Sequence, residues 1–354
     1  MTNLEKIMSG LSERNFDAVL LLSPENRRYA TKLPTSSGAV LIHAGGGIFM
    51  TDFRYIEAAK AVEGFEVKMT DRQKSVPAII NEAIDRLGIR RLAFEDQEMT
   101  VATFSKFAKE LKAELVPEDG FLKALMAVKD IPEKEKIIRA VKMADDAYLE
   151  VLPFIKAGVS ERDIACELQY RMLKMGAEQM SFEPIVVSGE RSSMPHGIPS
   201  DRKFRPGDFI TMDFGCIADG YCSDMTRTVA LGFATDEMKR IYGIVLEAQL
   251  AAIKKVRAGV AAADVDACAR GIIEAEGYGD CFGHGTGHGI GLREHEAPTV
   301  SVVSGDILKA GNVISAEPGI YIDGKFGVRI EDLLFVTENG CEILTKAPKE
   351  LLII

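Results

Sequence analysis

The feature of this sequence that most constrains its fold is an internal repeat in the C-terminal two-thirds. Residues 156–164 recur as residues 257–265, and residues 206–215 recur as residues 310–319. The offset is about 101 residues for the first pair of segments and 104 for the second. Each copy begins a helix and is followed by a strand hairpin. We therefore expect two copies of a helix-then-hairpin unit, related by a pseudo-twofold axis.

The repeat aligns two carboxylates. Asp213 occupies the position that Glu317 occupies in the second copy, and each lies at the end of an apolar strand. Burying a carboxylate without a compensating partner costs several kcal/mol or more. The alignment therefore points to a cation near both side chains.

The first hairpin brings a further carboxylate to the same face as Asp213. Asp219-Gly220 is a strong two-residue turn signal and would pair Asp213 with Thr226. A turn at Ala218-Asp219 would instead pair Asp213 with Asp224. Side chains alternate along a strand, so either register places Asp213 and Asp224 on one side of the sheet.

The second hairpin predicts a directly opposed pair. A three-residue loop at 323–325 pairs Ile322 with Phe326, and hence Glu317 with Glu331. Like charges directly across a hairpin are destabilising. A single acidic residue is usually a solvent-exposed surface residue, but four at matched positions on apolar strands argue for cations between the hairpins.

The sequence has five histidines, and four of them fall between His196 and His295. His284 and His288 lie in a glycine-rich segment, 283–291, whose alternating glycines exclude a stable helix. The segment does not match the dinucleotide-binding glycine pattern either. We therefore expect a loop that brings imidazoles to a metal ion or a substrate. His43, on a predicted strand, is interpreted as structural.

Composition excludes several classes of partner. The net charge is −10, with no local basic stripe, which argues against nucleic acid. No apolar run approaches the roughly 18 residues of a membrane span, and the N-terminus is not a signal peptide. The six cysteines form no CxxC pair, as is typical of reduced thiols in the cytoplasm. We predict a cytoplasmic protein that binds neither nucleic acid nor membrane.

Residues 1–122 have the pattern of a smaller α/β domain. Strands are predicted at 18–22, 39–42, 47–51, 65–69 and 91–94, and helices at 54–62, 76–87 and 101–111. Lys129-Asp130-Ile131-Pro132 opens a charged helix, which places the boundary near 124–130. We divide the chain into domains 1–124 and 125–354.

Together these segments resemble the Xaa-Pro peptidase family of aminopeptidase P and prolidase, over essentially the whole chain. The matching motifs are Asp-Phe-Gly at 213–215, Ser-Asp-Met-Thr-Arg-Thr at 223–228, Thr-Gly-His-Gly-Ile-Gly at 286–291, Glu-Pro-Gly at 317–319 and Val-Arg-Ile-Glu-Asp at 328–332. All of them in this order are specific, although any one alone is weak. The resemblance implies a small N-terminal α/β domain followed by a C-terminal pita-bread catalytic domain.

The resemblance also implies site roles. The metal ligands would be Asp213, Asp224, His288, Glu317 and Glu331, with Asp224 and Glu331 bridging two divalent ions. Four carboxylates and one imidazole suit Mn²⁺, with Co²⁺ or Zn²⁺ as substitutes. The catalytic residues would be His196, His295 and the base Glu317, and the substrate would contact His284, Tyr321 and Arg329. The partners implied are short proline-containing peptides and a second copy of the chain in a homodimer.

Two other functions compete with the peptidase. One is a metal-free amidinohydrolase like creatinase on the same fold, and the other is a non-catalytic peptide- or protein-binding module. Both are disfavoured because the set of five ligand-type residues is intact. Thr299 stands where some prolidases carry a basic residue, and Lys32-Leu33-Pro34 interrupts an N-terminal motif. We therefore expect Xaa-Pro-Yaa peptides to be cleaved at least as well as Xaa-Pro dipeptides.

Overall fold

A computed structural model of the protein describes residues 1–118 and 120–354. These residues form two compact units, Met1–Met126 and Ala127–Ile354. The division falls within the region where the sequence predicts a domain boundary. Among the described helices, none is long and apolar enough to cross a membrane.

The N-terminal unit is built on a six-stranded mixed sheet. Its strands are β1 (Ala18–Leu21), β2 (Ala39–His43), β3 (Gly46–Thr51), β4 (Phe65–Met69), β5 (Arg91–Phe94) and β6 (Glu114–Pro117). Its helices are α1 (Asn3–Glu13), α2 (Pro24–Thr31), α3 (Ile56–Ala59), α4 (Val76–Leu87), α5 (Val101–Glu110) and α6 (Gly120–Ala127). The strand order is β4-β3-β2-β1-β5-β6, in which β1–β2 and β2–β3 are antiparallel and the other pairs are parallel. All five predicted strands are present, and the α/β class is confirmed.

Local capping explains where the N-terminal unit departs from the sequence prediction. The sequence analysis did not predict α1, which begins at a capping box between Thr2 and Glu5. It also missed α2, whose charged sequence has little apolar periodicity and which begins at the Ser23 cap. The helix predicted at 54–62 is reduced to α3. Because Asp52 accepts a hydrogen bond from the Arg54 backbone amide, residues 52–55 form a turn instead.

The C-terminal unit contains four long helices and several antiparallel sheets. The helices are α7 (Ile131–Val151), α8 (Glu161–Lys174), α9 (Asp236–Lys255) and α10 (Ala262–Ala275). The strands of its first half are β7 (Gln179–Met180), β8 (Ile185–Ser188), β9 (Phe209–Phe214), β10 (Cys216–Ala218), β11 (Tyr221–Cys222) and β12 (Met225–Ala230). Those of its second half are β13 (Gly287–Gly289), β14 (Glu296–Val300), β15 (Val313–Ala316), β16 (Gly319–Ile322), β17 (Phe326–Arg329), β18 (Asp332–Val336) and β19 (Cys341–Ile343). The two main sheets have the orders β12-β9-β8 and β14-β13-β15-β18-β19.

Equivalent hydrogen bonds in the two halves confirm the repeat. The Gly158 amide donates to the Phe204 carbonyl, and the Gly259 amide donates to the Leu308 carbonyl. The two glycines are 101 residues apart and the two acceptors 104 apart, which are the offsets of the sequence repeat. Each half therefore ties the start of its helix to the segment before its hairpin in the same way.

Each half also has its own hydrophobic cluster. In the first half, α7 and α8 pack against β9 and β12, and all six residues of β9 are buried. In the second half, α9 and α10 pack against β15 and β18. Close-packed interiors leave little freedom to the strands within them. The strand ends that carry Asp213 and Glu317 are consequently held in fixed positions.

Candidate active site

The first hairpin adopts one of the two registers that the sequence left open. Asp213 pairs with Thr226 across β9 and β12. The turn lies at Asp219-Gly220, whose φ angles of 48° and 85° are both positive. A type I′ turn requires this conformation, and Asp-Gly adopts it readily. Asp224 lies two residues before Thr226, and its side chain is within the same cleft as Asp213.

The second hairpin has the predicted register. Ile322 pairs with Phe326 across β16 and β17. Further along, Ala316 pairs with Asp332, which continues the same register past the break between β15 and β16. Glu317 therefore lies opposite Glu331, as the three-residue loop predicts.

The glycine-rich segment is extended, as its glycines require. A Cβ at Gly287 would lie 2.2 Å from the Ser315 carbonyl oxygen, and a Cβ at Gly289 would lie 2.2 Å from the Ala297 carbonyl oxygen. Only glycine permits such close strand packing. Between them, the Nδ1 of His288 lies 3.0 Å from its acceptor, the Gly289 carbonyl. The lone pair of a neutral His288 is then on Nε2, which points toward the carboxylates.

These elements bring five ligand-type side chains into one cluster. The Nε2 atom of His288 lies 3.5 Å from Asp224 Oδ2 and 3.2 Å from Glu317 Oε1. Ligand atoms of Asp224, His288 and Glu331 lie within 4.8 Å of one another, a spacing compatible with one metal ion. Asp213 lines the same cleft as these residues. We call these five residues, listed here, the carboxylate cluster: Asp213, Asp224, His288, Glu317 and Glu331.

Asp213, Asp224 and Glu331 of the carboxylate cluster are buried, His288 and Glu317 are partly buried, and the charges of the cluster are incompletely compensated. Burial and the neighbouring Glu331 and Asp213 carboxylates raise the pKa of Asp224 well above its ordinary value. Burial, with the charges of Glu317 and Asp213, does the same to the pKa of Glu331. Burial also opposes the ionised form of Glu317, but its hydrogen bond and ion pair with His288 outweigh this and lower the pKa of Glu317. With all four carboxylates ionised, the cluster would carry more negative charge than His288 and the adjacent Arg329 balance.

Three carboxylate oxygens in the cluster lack a hydrogen-bond partner among residues 1–118 and 120–354. They are Asp213 Oδ1, Asp224 Oδ1 and Glu331 Oε1, and each is buried. Buried polar atoms in native proteins are almost always satisfied, and unpartnered ones demand an explanation. Oxygen atoms of this kind are the ligands that hard divalent cations prefer. The residues therefore fit a metal centre.

Behind the cluster, a row of hydrogen bonds holds Asp213. Arg329 is only 3% exposed, and its Nη2 donates to Asp213 Oδ2 at 2.5 Å. Its Nη1 donates to the Tyr321 hydroxyl at 2.8 Å, and that hydroxyl lies 2.9 Å from His284 Nε2. The sequence analysis predicted that Arg329, Tyr321 and His284 contact substrate. The structure places Arg329 against Asp213, where it supports a carboxylate of the cluster.

The carboxylate cluster opens into a cleft of about 780 Å³. His196 and His295 line it, and both are exposed, with 65% of the His295 side chain accessible. The ring of His295 lies 4.1 Å from the ring of His288, centre to centre. The structure therefore brings both predicted catalytic histidines to the cleft that the cluster faces.

Two polar residues of the site were missed. Glu294 lines the cleft, and burial raises its pKa. Its position next to His295 was a usable signal. Thr226 donates to Glu331 Oε2 at 2.8 Å and accepts from Arg329 Nε at 3.0 Å. Its spacing of two residues from Asp224, on the same strand face, could have identified it.

Comparison with known proteins agrees with this geometry. Residues 135–338 match the family described as metallopeptidase family M24, and residues 3–128 match the creatinase/prolidase N-terminal domain. The chain is 42% identical to the protein named uncharacterized peptidase YqhT of Bacillus subtilis, over 99% of both chains. The structure of an Xaa-Pro dipeptidase from Bacillus anthracis is similar, with a TM-score of 0.96, 41% identity and 99% coverage of both chains.

A second solved structure, of an X-Pro aminopeptidase from Thermotoga maritima, has a TM-score of 0.91 and 37% identity. It covers 97% of this chain, and 99% of that chain is matched. The fold is that of prolidases, with the smaller domain preceding the catalytic one. This chain belongs to metallopeptidase family M24.

Proposed function

We propose that this protein is a two-metal peptidase that hydrolyses the bond between an N-terminal residue and a following proline. The observation that carries the proposal is the set of three buried, unpartnered carboxylate oxygens within the carboxylate cluster. The names of the similar structures, an Xaa-Pro dipeptidase and an X-Pro aminopeptidase, support the choice of bond. Family resemblance further suggests a cytoplasmic homodimer.

The proposed ligands divide between two ions. Asp224 and Glu331 would contact both, Asp213 would complete one, and His288 and Glu317 would complete the other. Four carboxylates with one imidazole favour Mn²⁺, with Co²⁺ or Zn²⁺ as substitutes. Divalent ions at such a site lower the pKa of a bound water and polarise the carbonyl group of the substrate.

The chain's own residues supply the proton transfers. Glu317 is the proposed base, because its carboxylate lines the cleft beside the other cluster residues and an ionised carboxylate there can accept a proton. The Ser315 hydroxyl donates to Glu317 Oε1 at 3.0 Å and so fixes its orientation. His295, exposed in the cleft, is the proposed hydrogen-bond donor to the oxyanion that develops on the substrate carbonyl.

Proline explains the proposed role of His196. An Xaa-Pro bond has no N–H, and its nitrogen is part of a rigid ring, so a site shaped for it can exclude ordinary peptides. The departing proline nitrogen must gain a proton as the bond breaks. His196 lines the cleft and carries a group suited to donate that proton.

A metal and substrate panel tests the proposal. Protein dialysed against a chelator should lose activity, and added Mn²⁺ should restore it. With Mn²⁺ present, kcat/KM should be high for Ala-Pro and Ala-Pro-Ala and low for Ala-Ala-Ala. The tripeptide should be cleaved at least as well as the dipeptide, because Thr299 offers no positive charge to a dipeptide carboxylate.

Four results would redirect the assignment. Full activity without metal, with creatine as a substrate, would favour the amidinohydrolase. Peptide binding without turnover of any substrate would favour a binding module. Equal cleavage of Ala-Ala-Ala would remove proline selectivity, and cleavage of Ala-Pro alone would reverse the expected length preference.

A further inference from the structure

Two side chains of α10, Asp266 and Arg270, lie outside the carboxylate cluster and join one helix to the glycine-rich loop. They are one helical turn apart. Arg270 donates to Asp266 twice, from Nε to Oδ2 at 2.8 Å and from Nη2 to Oδ1 at 3.1 Å. Asp266 is 0% exposed. A buried carboxylate that accepts two hydrogen bonds from one guanidinium has a well-defined geometry.

This pair holds the backbone of residues 282–286 at three points. Asp266 Oδ1 accepts from the amide and the hydroxyl of Thr286, both at 2.9 Å. Arg270 donates to the Phe282 carbonyl at 2.9 Å and to the His284 carbonyl at 2.7 Å. We call these two residues and their loop contacts the α10 clamp.

The loop requires such support because of its composition. Glycines occupy positions 283, 285 and 287. Glycine loses more conformational entropy on ordering than any other residue. A Cβ at Gly285 would lie 2.9 Å from the Val300 carbonyl oxygen, so the glycine cannot be replaced by a stiffer residue without a rearrangement. Order in this segment therefore depends on hydrogen bonds to residues outside it.

From the α10 clamp, two hydrogen-bonded routes reach the carboxylate cluster. His284, whose carbonyl Arg270 binds, contacts Tyr321, and Arg329 links Tyr321 to Asp213. Separately, the Thr286 carbonyl accepts from the Glu317 amide at 2.8 Å. One route therefore ends at the carboxylate of Asp213 in the first repeat, and the other at the backbone amide of Glu317 in the second.

We propose that Asp266 and Arg270 are positioning residues, which set the places of His284, Asp213 and Glu317 through the glycine-rich loop. The roles of those three residues rest on the proposed function. The hydrogen bonds of the clamp join Asp266 and Arg270 to each other and to residues 282, 284 and 286, and none of them involves a side chain of the carboxylate cluster. Its removal should therefore disorder the loop and weaken both metal binding and turnover while the fold is retained.

Arg270→Lys is the primary test, in the full chain. Lysine keeps the charge, but its single ammonium cannot reproduce the planar guanidinium contacts to Asp266 and two carbonyls. We expect kcat for Ala-Pro and Mn²⁺ affinity each to fall on the order of 10- to 100-fold, the usual loss when a residue that orients ligands is changed. Amides of residues 282–289 should exchange hydrogen faster. Arg240→Ala, which breaks an exposed pair with Glu276, is the control and should change none of these.

The readouts separate the proposal from its alternatives. A lower Tm with unchanged kcat, Mn²⁺ affinity and amide exchange in Arg270→Lys would show a merely structural pair and overturn the proposal. If Arg270→Lys does not fold, Asp266→Asn, which keeps the shape, takes its place with the same readouts. If the wild-type protein cleaves no Xaa-Pro peptide, the proposed function fails, yet Mn²⁺ titration and amide exchange still decide the role of the clamp.

Discussion

The two halves of the C-terminal unit place carboxylates at matching positions but surround them differently. In the first half, Asp213 is bound by Arg329, a permanent cation. In the second half, Glu317 faces His288, whose pKa is raised by its contact with Glu317 although burial opposes protonation. The first contact persists at any physiological pH, whereas an imidazole can release its proton and bind a metal ion instead.

This difference shows how a duplicated scaffold can build two unlike ion environments. The repeat supplies the strand ends and the hairpins, and therefore the spacing of the carboxylates. Residues that differ between the two halves then set the electrostatics, with Arg329 supporting one side and Ser315 and His288 the other. If each half mainly serves one ion, changes in one half should affect the two ions unequally.

Asp224→Asn should have the largest effect on activity and metal binding, because under the proposed function Asp224 contacts both ions. The substitution keeps the shape but removes a charge that would lie between two cations. We expect the loss of at least one ion per chain and a fall in kcat of on the order of 10²–10³-fold or more, the cost of removing a key electrostatic group from an active site. Metal analysis of the purified protein and steady-state kinetics measure both.

Asp219→Asn is the matched control for Asp224→Asn. Asp219 is exposed, lies in the turn of the same hairpin and has a positive φ of 48°, which asparagine also tolerates. Its ion pair with Arg139 is at the surface and should contribute less than about 1 kcal/mol. Two tightly bound ions and near-normal turnover in Asp224→Asn would refute the bridging role.

Arg329→Lys should selectively weaken binding of the ion near Asp213, in the first half. The guanidinium contacts Asp213, Tyr321 and Thr226 together, and an ammonium cannot span all three. We expect one of two Mn²⁺ dissociation constants to rise on the order of 10- to 100-fold while the other changes little. Calorimetric titration would resolve the two sites. Arg202→Lys is the control, because Arg202 pairs with Asp208 outside the cluster, and it should alter neither dissociation constant. If Arg329→Lys weakens the binding of both ions equally, the two halves do not provide distinct ion environments.

Without metal ions, the stability of the folded protein should fall as pH rises, because the ionised carboxylates of the cluster then repel one another. In the metal-free protein the pKa values of Asp213, Asp224 and Glu331 are raised, so the folded state binds more protons than the unfolded state above about pH 4. Stability therefore falls as pH rises toward the folded pKa values. The raised pKa of His288 acts in the same direction, since its contribution is lost as the imidazole deprotonates.

General constants set the scale of this effect. Each pKa unit corresponds to about 1.4 kcal/mol, and 1 kcal/mol changes Tm by roughly 2–4 °C in a unit of this size. We expect the Tm difference between Mn²⁺-loaded and metal-free protein to widen by several degrees from pH 5 to pH 8. Asp224→Asn lacks one of the carboxylates whose pKa is raised. The Tm of this variant without metal should therefore depend less on pH. A constant difference across that range would contradict the charge imbalance.

Ser315→Ala should weaken binding of the ion near Glu317, in the second half, by less than Arg329→Lys weakens the other ion. The Ser315 hydroxyl donates to Glu317 Oε1 and accepts from the His288 amide, each at 3.0 Å. Leaving the buried His288 amide unsatisfied costs about 1–3 kcal/mol of stability. Loss of the hydrogen bond that orients the proposed base should also lower kcat roughly tenfold, a barrier change of about 1.4 kcal/mol, with the ion near Glu317 the more weakened. Thr211→Val removes a buried strand hydroxyl in the first half and is the control. An effect equal to that of Arg329→Lys, on the same ion, would argue against separate environments.

Local rules made the hairpins predictable. Asp-Gly at 219–220 favours the type I′ turn that forms, one of the two turns that the sequence left open. The three-residue loop at 323–325 predicts the register of the second hairpin. The carboxylates then follow from the two-residue period of a strand. The repeat could be read because its two copies retain the same pattern at nearly constant offsets. The metal and substrate roles assigned from resemblance stay predictions.

Contacts between segments distant in sequence could not be predicted. Arg329 and Asp213 are 116 positions apart, and nothing in either motif indicates that they pair. The α10 clamp joins an amphipathic helix to a loop through backbone carbonyls, which carry no sequence signal. The helix α2 was missed because its stability derives from a cap and from tertiary packing rather than from apolar periodicity.

Glu294→Gln should have the smallest effect on kcat. This substitution tests whether Glu294 belongs to the metal centre. The Oε1 atom of Glu294 lies 3.4 Å from His295 Nδ1, in a pair whose histidine is 65% exposed. Water screens such a pair, so its contribution is about 0.2–1 kcal/mol. If all of this contribution acts on the activation barrier, kcat changes by roughly 1.4- to fivefold. Glu183→Gln, at an exposed carboxylate of the same cleft, should leave kcat unchanged. A hundredfold loss in Glu294→Gln would mean that this carboxylate contacts an ion or the substrate directly. The second half would then contribute three carboxylates to the centre against two from the first, and the asymmetry between the halves would be one of charge as well as of ligand type.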